Sequence, residues 1–451
     1  MCGGLIHLNA AGARVRHLGA AMPSVPSPDS AQLAGAYRLR PGRRPAIVGE
    51  RPVLEGRRLA ALLRGLPAAR APNTCAAVFT LCAHAHRRTS EAAVAAAGFV
   101  REQDAAGLAC EPGAPGRARE EDAAGLQLET ARDHLRAVAL DWPARAGLAP
   151  SLEWLRGSPL RLAGASPQEP QAARRILRAF GDWLGTAVLQ RAPAEWLADC
   201  AQPAALHAWC EQHAEAFVPA RMLRDWHGPA TQHALPCAPL RIADAGQLRT
   251  LAAALAGGAD FSQRPHWQGE PRETGPWSRQ RHVQEAAPWW PHGHVQETGP
   301  GSRHGHARES GPSSQPHPAP ARLPTTAWDR LAARWIELVE LSCADAPLLR
   351  QGALQLVPGE AIAWCEMARG LLFHWVRLDP AGQVQDYRVL APTEWNFHPQ
   401  GTLARALEQL APADTAAAAM LGAAFDACVP CSVASEEPGL EVAQVRAQAH
   451  R

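Results

Sequence analysis

The sequence predicts a mainly α-helical fold with small β elements, and three observations support this prediction. Apolar residues recur with helical spacing over residues 173–189, and a strongly amphipathic run covers 328–343. Two short apolar runs at 371–376 and 386–390 flank an Asp-Pro-Ala-Gly turn, which is typical of a β-hairpin. The chain has 451 residues, of which 47% are hydrophobic, so it is long enough to bury a sizeable core.

The remaining elements follow from the same periodicities. One more strand is predicted at 45–48. Further helices are predicted at 59–66, 89–97, 196–217, 247–256 and 402–410, and an alanine-rich helix then runs to Phe425.

Two duplicated segments interrupt this pattern. The run at 101–108 recurs almost unchanged at 119–126, and we interpret the segment 101–126 as an expanded loop. A second low-complexity segment, 272–319, is rich in Gly, Pro, Ser and His and has no apolar face, so it cannot bury enough surface to fold alone. It is either a neutral, disordered duplication or a histidine-rich tract that binds nickel or zinc.

The composition excludes several functional classes. The chain contains no lysine, so all 45 basic residues are arginine, which excludes a P-loop and Schiff-base chemistry. A net charge of +2 predicts no strong attraction to nucleic acid or to an anionic membrane. No apolar run approaches the ~20 residues of a membrane span, and we expect a cytoplasmic protein with reduced cysteines.

The clearest local motif is the pair Cys428 and Cys431, which stand three residues apart near the C-terminal end. Two thiols at this spacing can chelate one metal ion, but a single pair is also compatible with redox chemistry or with two buried structural thiols.

A second candidate lies at 82–86, where Cys82, His84 and His86 precede a predicted helix. Cys82 and His86 would share one face of a helical turn, so the histidines are candidate accessory metal ligands. Solvent-facing histidines at the start of a helix are the alternative.

A third candidate combines Arg369, which precedes a glycine, with Thr393 in the run 392–396. Arginine and threonine can both donate hydrogen bonds to a small anionic ligand. A surface arginine and a packed tryptophan turn are the structural alternative.

Together these motifs resemble the large subunit of nickel–iron hydrogenases. In that family an early cysteine pair is followed by Gly-x-Pro-x-Glu-Thr-Gly-Pro-x-x-Arg, Glu-Ala-Pro-Arg-Gly, Pro-Thr-x-Trp-Asn and a terminal Asp-Pro-Cys-x-x-Cys. This chain has the same order at Cys82, 269–279, 366–370, 392–396 and 426–431. The resemblance implies a large-subunit-like fold in which Cys82 lies close to Cys428 and Cys431.

The departures from that family are specific. Ala85 stands where the second cysteine of the first pair would lie, and Ala434 stands at the terminal histidine position. Alanine offers no metal ligand, so hydrogen cleavage is not expected. A chain with three of the four cysteines resembles the hydrogenase expression/formation proteins of the HupK/HoxV type.

That resemblance implies a maturation accessory protein and not an enzyme. Its implied role is a scaffold for assembly or transfer of an iron fragment that carries carbonyl and cyanide ligands. Cys428 and Cys431 would hold the iron, Cys82 would be a third ligand or a transfer thiol, and Arg369 and Thr393 would donate to cyanide. The implied partners are maturation chaperones and the hydrogenase large subunit.

Three alternatives remain at this stage: a divergent catalytic large subunit, a nickel donor that uses the histidine-rich insert, and a relic that only packs against partners.

The predicted organisation is one composite domain. Its N-terminal part covers 1–259, a motif segment with the disordered insert covers 260–325, and its C-terminal part covers 326–451.

Overall fold

A computed structural model describes residues 35–54, 58–98, 117–160, 169–242, 244–258, 260–279, 325–346 and 349–434. Helices dominate it, with two small sheets, which confirms the predicted fold class. The helices are α1 (Arg58–Leu63), α2 (Ala71–Val78), α3 (Ala83–Ala96), α4 (Arg117–Arg136), α5 (Trp142–Arg145), α6 (Leu152–Gly157), α7 (Pro170–Leu184), α8 (Pro193–Cys200), α9 (Pro203–His213), α10 (Val218–Gln232), α11 (Ala245–Gly257), α12 (Ala327–Glu340), α13 (Pro392–Asn396), α14 (Thr402–Glu408) and α15 (Thr415–Phe425).

The larger sheet has four antiparallel strands in chain order: β3 (Gln351–Val357), β4 (Glu360–Met367), β5 (Gly370–Leu378) and β6 (Val384–Leu390). β5 and β6 are the predicted hairpin. The sequence analysis missed β3 and β4. β4 is buried on both faces, so it lacks the polar alternation that marks a half-exposed strand.

The smaller sheet joins the two ends of the described chain. β1 (Ala36–Leu39) pairs antiparallel with β2 (Ile47–Glu50) and parallel with β7 (Cys431–Val433). In this register Tyr37 lies opposite Cys431, so the C-terminal cysteine pair is anchored to the N-terminal part of the chain.

Two of the predictions need correction. The predicted helix 196–217 is two helices, α8 and α9, because Pro203 begins the second and cannot continue the first. The segment 119–126 is not loop but part of the 20-residue helix α4, whose residues 123–128 are buried. The first repeat copy lies outside the described residues.

Of the low-complexity segment 272–319, the structure describes only the first residues, and these are folded. Residues 272–278 pack inside the protein, with Arg272, Glu273 and Thr274 each no more than 3% exposed. The Glu273 carboxylate accepts two hydrogen bonds from the guanidinium of Arg330 on α12. Residues 280–324 lie outside the described part of the chain.

A chain of buried polar groups runs through the middle of the molecule. Arg279 donates two hydrogen bonds to the Glu337 carboxylate, at 2.8 and 2.7 Å. Glu337 also lies 2.6 Å from His134 Nε2, and Arg334 Nη1 lies 3.1 Å from His134 Nδ1. Because arginine only donates, His134 Nδ1 is the acceptor and its Nε2–H donates to Glu337.

The same chain continues through three more ion pairs. Arg334 Nη1 lies 2.9 Å from Asp426 Oδ2, which lies 3.0 Å from Arg369 Nε. Arg369 Nη1 donates to Asp133 at 2.8 Å. We call these seven residues, Arg279, Glu337, His134, Arg334, Asp426, Arg369 and Asp133, the buried charge chain. It connects α4, α12, the turn between β4 and β5, the segment 269–279 and the residue that follows α15.

None of the helices in the described ranges is both long and apolar enough to cross a membrane.

The His134 imidazole gives the protein a specific pH dependence. Burial, opposed by its hydrogen bond to Glu337, lowers the pKa of His134 to about 4. In the unfolded chain this imidazole takes up a proton near pH 6.5, whereas in the folded chain it stays neutral until about pH 4. The free energy of unfolding therefore falls as the pH drops from about 6.5 to about 4.

The glutamine side chain offers both donor and acceptor groups and does not titrate. We expect His134→Gln to remove up to about 3 kcal/mol of that pH dependence, measured by urea unfolding. Equal pH slopes for the two proteins would contradict this.

Two helical glycines provide a test of the packing of α4. A methyl group at Gly125 would overlap the His84 imidazole, whereas one at Gly257, the last residue of α11, would meet nothing within 4 Å. We expect Gly125→Ala to destabilise by about 1–3 kcal/mol through overpacking. Gly257→Ala should instead leave stability unchanged or raise it by up to about 1 kcal/mol, because alanine favours helix. Thermal or urea unfolding measures both, and equal effects would contradict the packing of α4 on α3.

Candidate functional site

The C-terminal cysteine pair follows directly from the end of α15. Asp426 adopts a left-handed conformation, φ 50°, and ends the helix. Cys428 comes next, and Cys431 begins β7. Both thiols are half-buried. A hydrogen bond from Arg145 favours the thiolate of Cys431, but burial dominates and raises the pKa of Cys431.

Thr393 lies against Cys428. Its hydroxyl donates to Cys428 Sγ at 3.1 Å, and the Cys428 backbone N–H lies 3.4 Å from the same oxygen. Thr393 is fully buried in α13, so its hydroxyl is fixed in place. The structure therefore brings two of the sequence-predicted residues into direct contact.

Cys82 reaches the same site from the N-terminal part of the chain. It is the last residue of the 3₁₀ turn Thr80–Cys82 and directly precedes α3. It is 4% exposed, and burial, followed by the electrostatic effect of Cys428, raises the pKa of Cys82 well above its usual value. The thiols of Cys82 and Cys428 therefore lie within electrostatic range of each other.

The turn that follows Cys82 is held by helix α4. The Glu129 carboxylate accepts the backbone N–H groups of His84 and Ala85, at 2.7 and 2.9 Å. These amides are free donors at the start of α3, so Glu129 caps that helix from a distant segment. Ala85 is fully buried and brings no ligand atom to the site.

Arg369 lies in the turn between β4 and β5 and is 2% exposed. Burial disfavours its charge, but Asp426 and Asp133 outweigh burial and raise the pKa of Arg369. Cys428 and Cys82 also act on it electrostatically. A permanent cation therefore lies beside the two thiols, as the resemblance implies.

Three of the motif segments support one another through short contacts. Gly370 has φ +128°, and a side chain there would overlap Thr274, whose hydroxyl accepts the Leu371 N–H at 3.0 Å. Asn396 accepts the Thr274 N–H at 3.0 Å and donates to the Arg369 carbonyl at 3.3 Å. The segments 269–279, 366–370 and 392–396 therefore position Arg369 together.

Arg51 and Glu394 were not identified in the sequence analysis. They form a buried ion pair, with Arg51 Nη1 3.0 and 3.3 Å from the two carboxylate oxygens. Cys428 and Cys82 both act electrostatically on Arg51. The sequence did contain one sign of this ion pair. Glu394 is a carboxylate inside an otherwise uncharged motif, and a buried carboxylate requires a cation partner.

His84 and His86 do not share a site. His86 stacks on Phe79, and its Nδ1 lies 3.0 Å from His374 Nε2. The Tyr387 hydroxyl donates to Ser90, so His374 Nδ1–H donates to Tyr387 and His374 Nε2 accepts from His86.

His84 points the other way, toward Gly125 on α4, and burial lowers the pKa of His84 to about 4. Cys82 and His86 do not form the helical pair that the spacing predicted, because Cys82 precedes the helix.

Within the residues that the structure describes, no three His, Cys, Asp or Glu side chains are arranged to hold a metal ion. Cys82, Cys428 and Cys431 therefore do not form a complete metal cage. The site offers instead a few thiols beside fixed hydrogen-bond donors.

Comparison with known proteins identifies the family. No family model matches the chain. The hydrogenase expression/formation protein HoxV of Cupriavidus necator is 36% identical over 436 residues, which cover 89% of this chain and 95% of HoxV. The chain belongs to the hydrogenase expression/formation proteins. A HupK protein of Bradyrhizobium diazoefficiens shares 30% identity over 212 residues, 45% of this chain and 49% of HupK.

Several solved hydrogenases also align with this expression/formation protein. An NAD+-reducing [NiFe]-hydrogenase is 14% identical with a TM-score of 0.39. The Ni-Fe-Se hydrogenase of D. vulgaris Hildenborough is 15% identical with a TM-score of 0.42. Each alignment covers 85% of this chain and 92% of the hydrogenase chain.

The different burial of the thiols predicts their reactivity. We expect iodoacetamide at neutral pH to alkylate Cys428 well before Cys82, because Cys82 is buried and its raised pKa leaves little reactive thiolate. Peptide mass spectrometry of the native protein over time measures both sites. In the urea-unfolded protein the two thiols should react alike, and equal rates in the native protein would contradict the structure.

Proposed function

We propose that this hydrogenase maturation protein is a scaffold on which an iron–carbonyl–cyanide fragment is assembled or from which it passes to the hydrogenase large subunit. The observation that carries the proposal is the arrangement around Cys428: Thr393 contacts its thiol, and Cys82 and Arg369 lie within its electrostatic range. These side chains come from four separate parts of the chain.

The thiols would hold the iron. Cys428 and Cys431, three residues apart, supply two soft ligands, and Cys82 lies within electrostatic range of Cys428 as a third or transferring thiol. A bare metal ion needs more ligands than this site brings together. An iron that arrives with its own carbonyl and cyanide ligands needs fewer from the protein.

The donors around the thiols fit anionic ligands. Arg369 keeps its charge at every physiological pH, and the Thr393 hydroxyl is fixed beside Cys428. Both can donate hydrogen bonds to cyanide nitrogen, which is a much stronger acceptor than carbonyl oxygen bound to iron. The site therefore favours this fragment over an uncoordinated cation.

A catalytic role is less well supported. Ala85 leaves the turn after Cys82 without a second thiol, and its backbone N–H is already bound by Glu129. A nickel ion bound here would have one thiolate fewer to hold it. With no thiol at the position of Ala85, a scaffold would also release its iron more easily. We therefore propose a binding and transfer role rather than hydrogen cleavage. The partners would be maturation chaperones and the large subunit.

The proposal predicts a defined loss in a cysteine variant. The full-length chain, purified anaerobically from cells that express the maturation proteins, should contain iron and show carbonyl and cyanide infrared bands. Cys428→Ser should lose most of the iron and the bands, because serine is a poor ligand for soft iron(II). Cys343→Ser is the matched control, since Cys343 is also half-buried but lies after α12.

Retention of both iron and bands in Cys428→Ser would contradict the proposal. Nickel together with iron in the wild-type chain would favour a catalytic centre instead, and nickel alone would favour a nickel donor.

A further inference from the structure

Arg51 is a second arginine near the thiols, and the proposed function gives it no role. Arg51 is 4% exposed and lies just after β2. Its Nη1 is held by both oxygens of Glu394, and its guanidinium carbon lies 5.6 Å from the centre of the Phe79 ring. These contacts hold the guanidinium in one position from two sides.

The hydrogen bonds to Glu394 use only Nη1 of this guanidinium. Among the described residues, Arg51 Nε has no hydrogen-bond partner although the atom is buried. A buried donor without a partner is destabilising, and Arg51 Nε is one of several such donors among the described residues. An acceptor that binds to the folded protein would satisfy it.

The two contacts of Arg51 place it between the thiols. Glu394 is the neighbour of Thr393, whose hydroxyl donates to Cys428. Phe79 accepts the backbone N–H of Cys82 at 3.2 Å. Arg51 is therefore anchored at one end on the Cys428 side of the site and at the other on the Cys82 side. Electrostatic interaction with both thiols agrees with this position.

We propose that the Nε–H of Arg51 donates a hydrogen bond to an anionic diatomic ligand of the iron fragment, so that the site has a second arginine donor besides Arg369. The inference rests on the proposed function and assigns a ligand-recognition role to Arg51. Glu394 acts as a positioning residue, because it holds Nη1 and leaves Nε directed elsewhere.

This second donor makes the site more selective. Iron-bound cyanide carries negative charge on nitrogen and accepts strongly, whereas iron-bound carbonyl accepts weakly, so a charge-assisted donor distinguishes the two. An arginine that served only to neutralise Glu394 would interact with neither ligand.

The test compares infrared spectra of full-length variants purified anaerobically from cells with the maturation proteins. Arg51→Lys keeps the positive charge but removes Nε–H. Arg51→Gln with Glu394→Gln removes both charges and leaves no unpaired carboxylate. The control pair, Arg377→Gln with Glu360→Gln, makes the same chemical change at an ion pair on the larger sheet.

We expect both Arg51 variants to shift one cyanide band while the carbonyl band moves less, and the control to match the wild type. If the double variant fails to fold, Arg51→Lys decides the question. Cyanide bands that coincide with the wild type in every folded Arg51 variant would overturn this inference alone. A wild-type chain without cyanide bands would overturn the proposed function as well.

Discussion

The structure depends most on the buried charge chain, because it unites segments that are far apart in sequence. Its seven residues come from α4, α12, the β4–β5 turn, the 269–279 segment and the end of α15. A buried charge without a partner is strongly destabilising, so each of these segments requires the others to be in place. Arg279 and Glu337 form the firmest link: burial works against ionisation, but Arg279 outweighs it and lowers the pKa of Glu337 to about 2. Arg369, near the other end of the buried charge chain, thereby occupies a fixed position.

The candidate site is built on that end of the charge chain. Asp426 pairs with Arg369 and Arg334 and also terminates α15, so it fixes the direction in which Cys428 and Cys431 leave the helix. β7 then secures Cys431 against β1. Cys82 arrives through a helix start that Glu129 caps. The thiols are therefore positioned by contacts among protein groups, as the proposed role in holding and passing on an iron fragment requires.

Much of the fold could be predicted from the sequence, because long amphipathic segments such as 328–343 and the β5–β6 hairpin carry strong periodic signals. β4 could not, since burial on both faces removes its alternation. Cys428, Thr393 and Arg369 were found through motif order. Arg51 and Asp133 were missed because each gains its role from a partner more than 200 positions away, Glu394 and Arg369, and no local pattern marks such a pair. His84 and His86 were overestimated, because spacing alone does not show which way a helix faces.

The central claim is that a few thiols hold an iron fragment that brings its own ligands. Iron-edge X-ray absorption on the anaerobically purified full-length chain measures this directly. If Cys428 and Cys431 hold the fragment, each iron should have two sulfur neighbours and additional light-atom neighbours from the diatomic ligands, with no nickel in the same sample. Iron surrounded by four sulfur atoms, or by none, would contradict it.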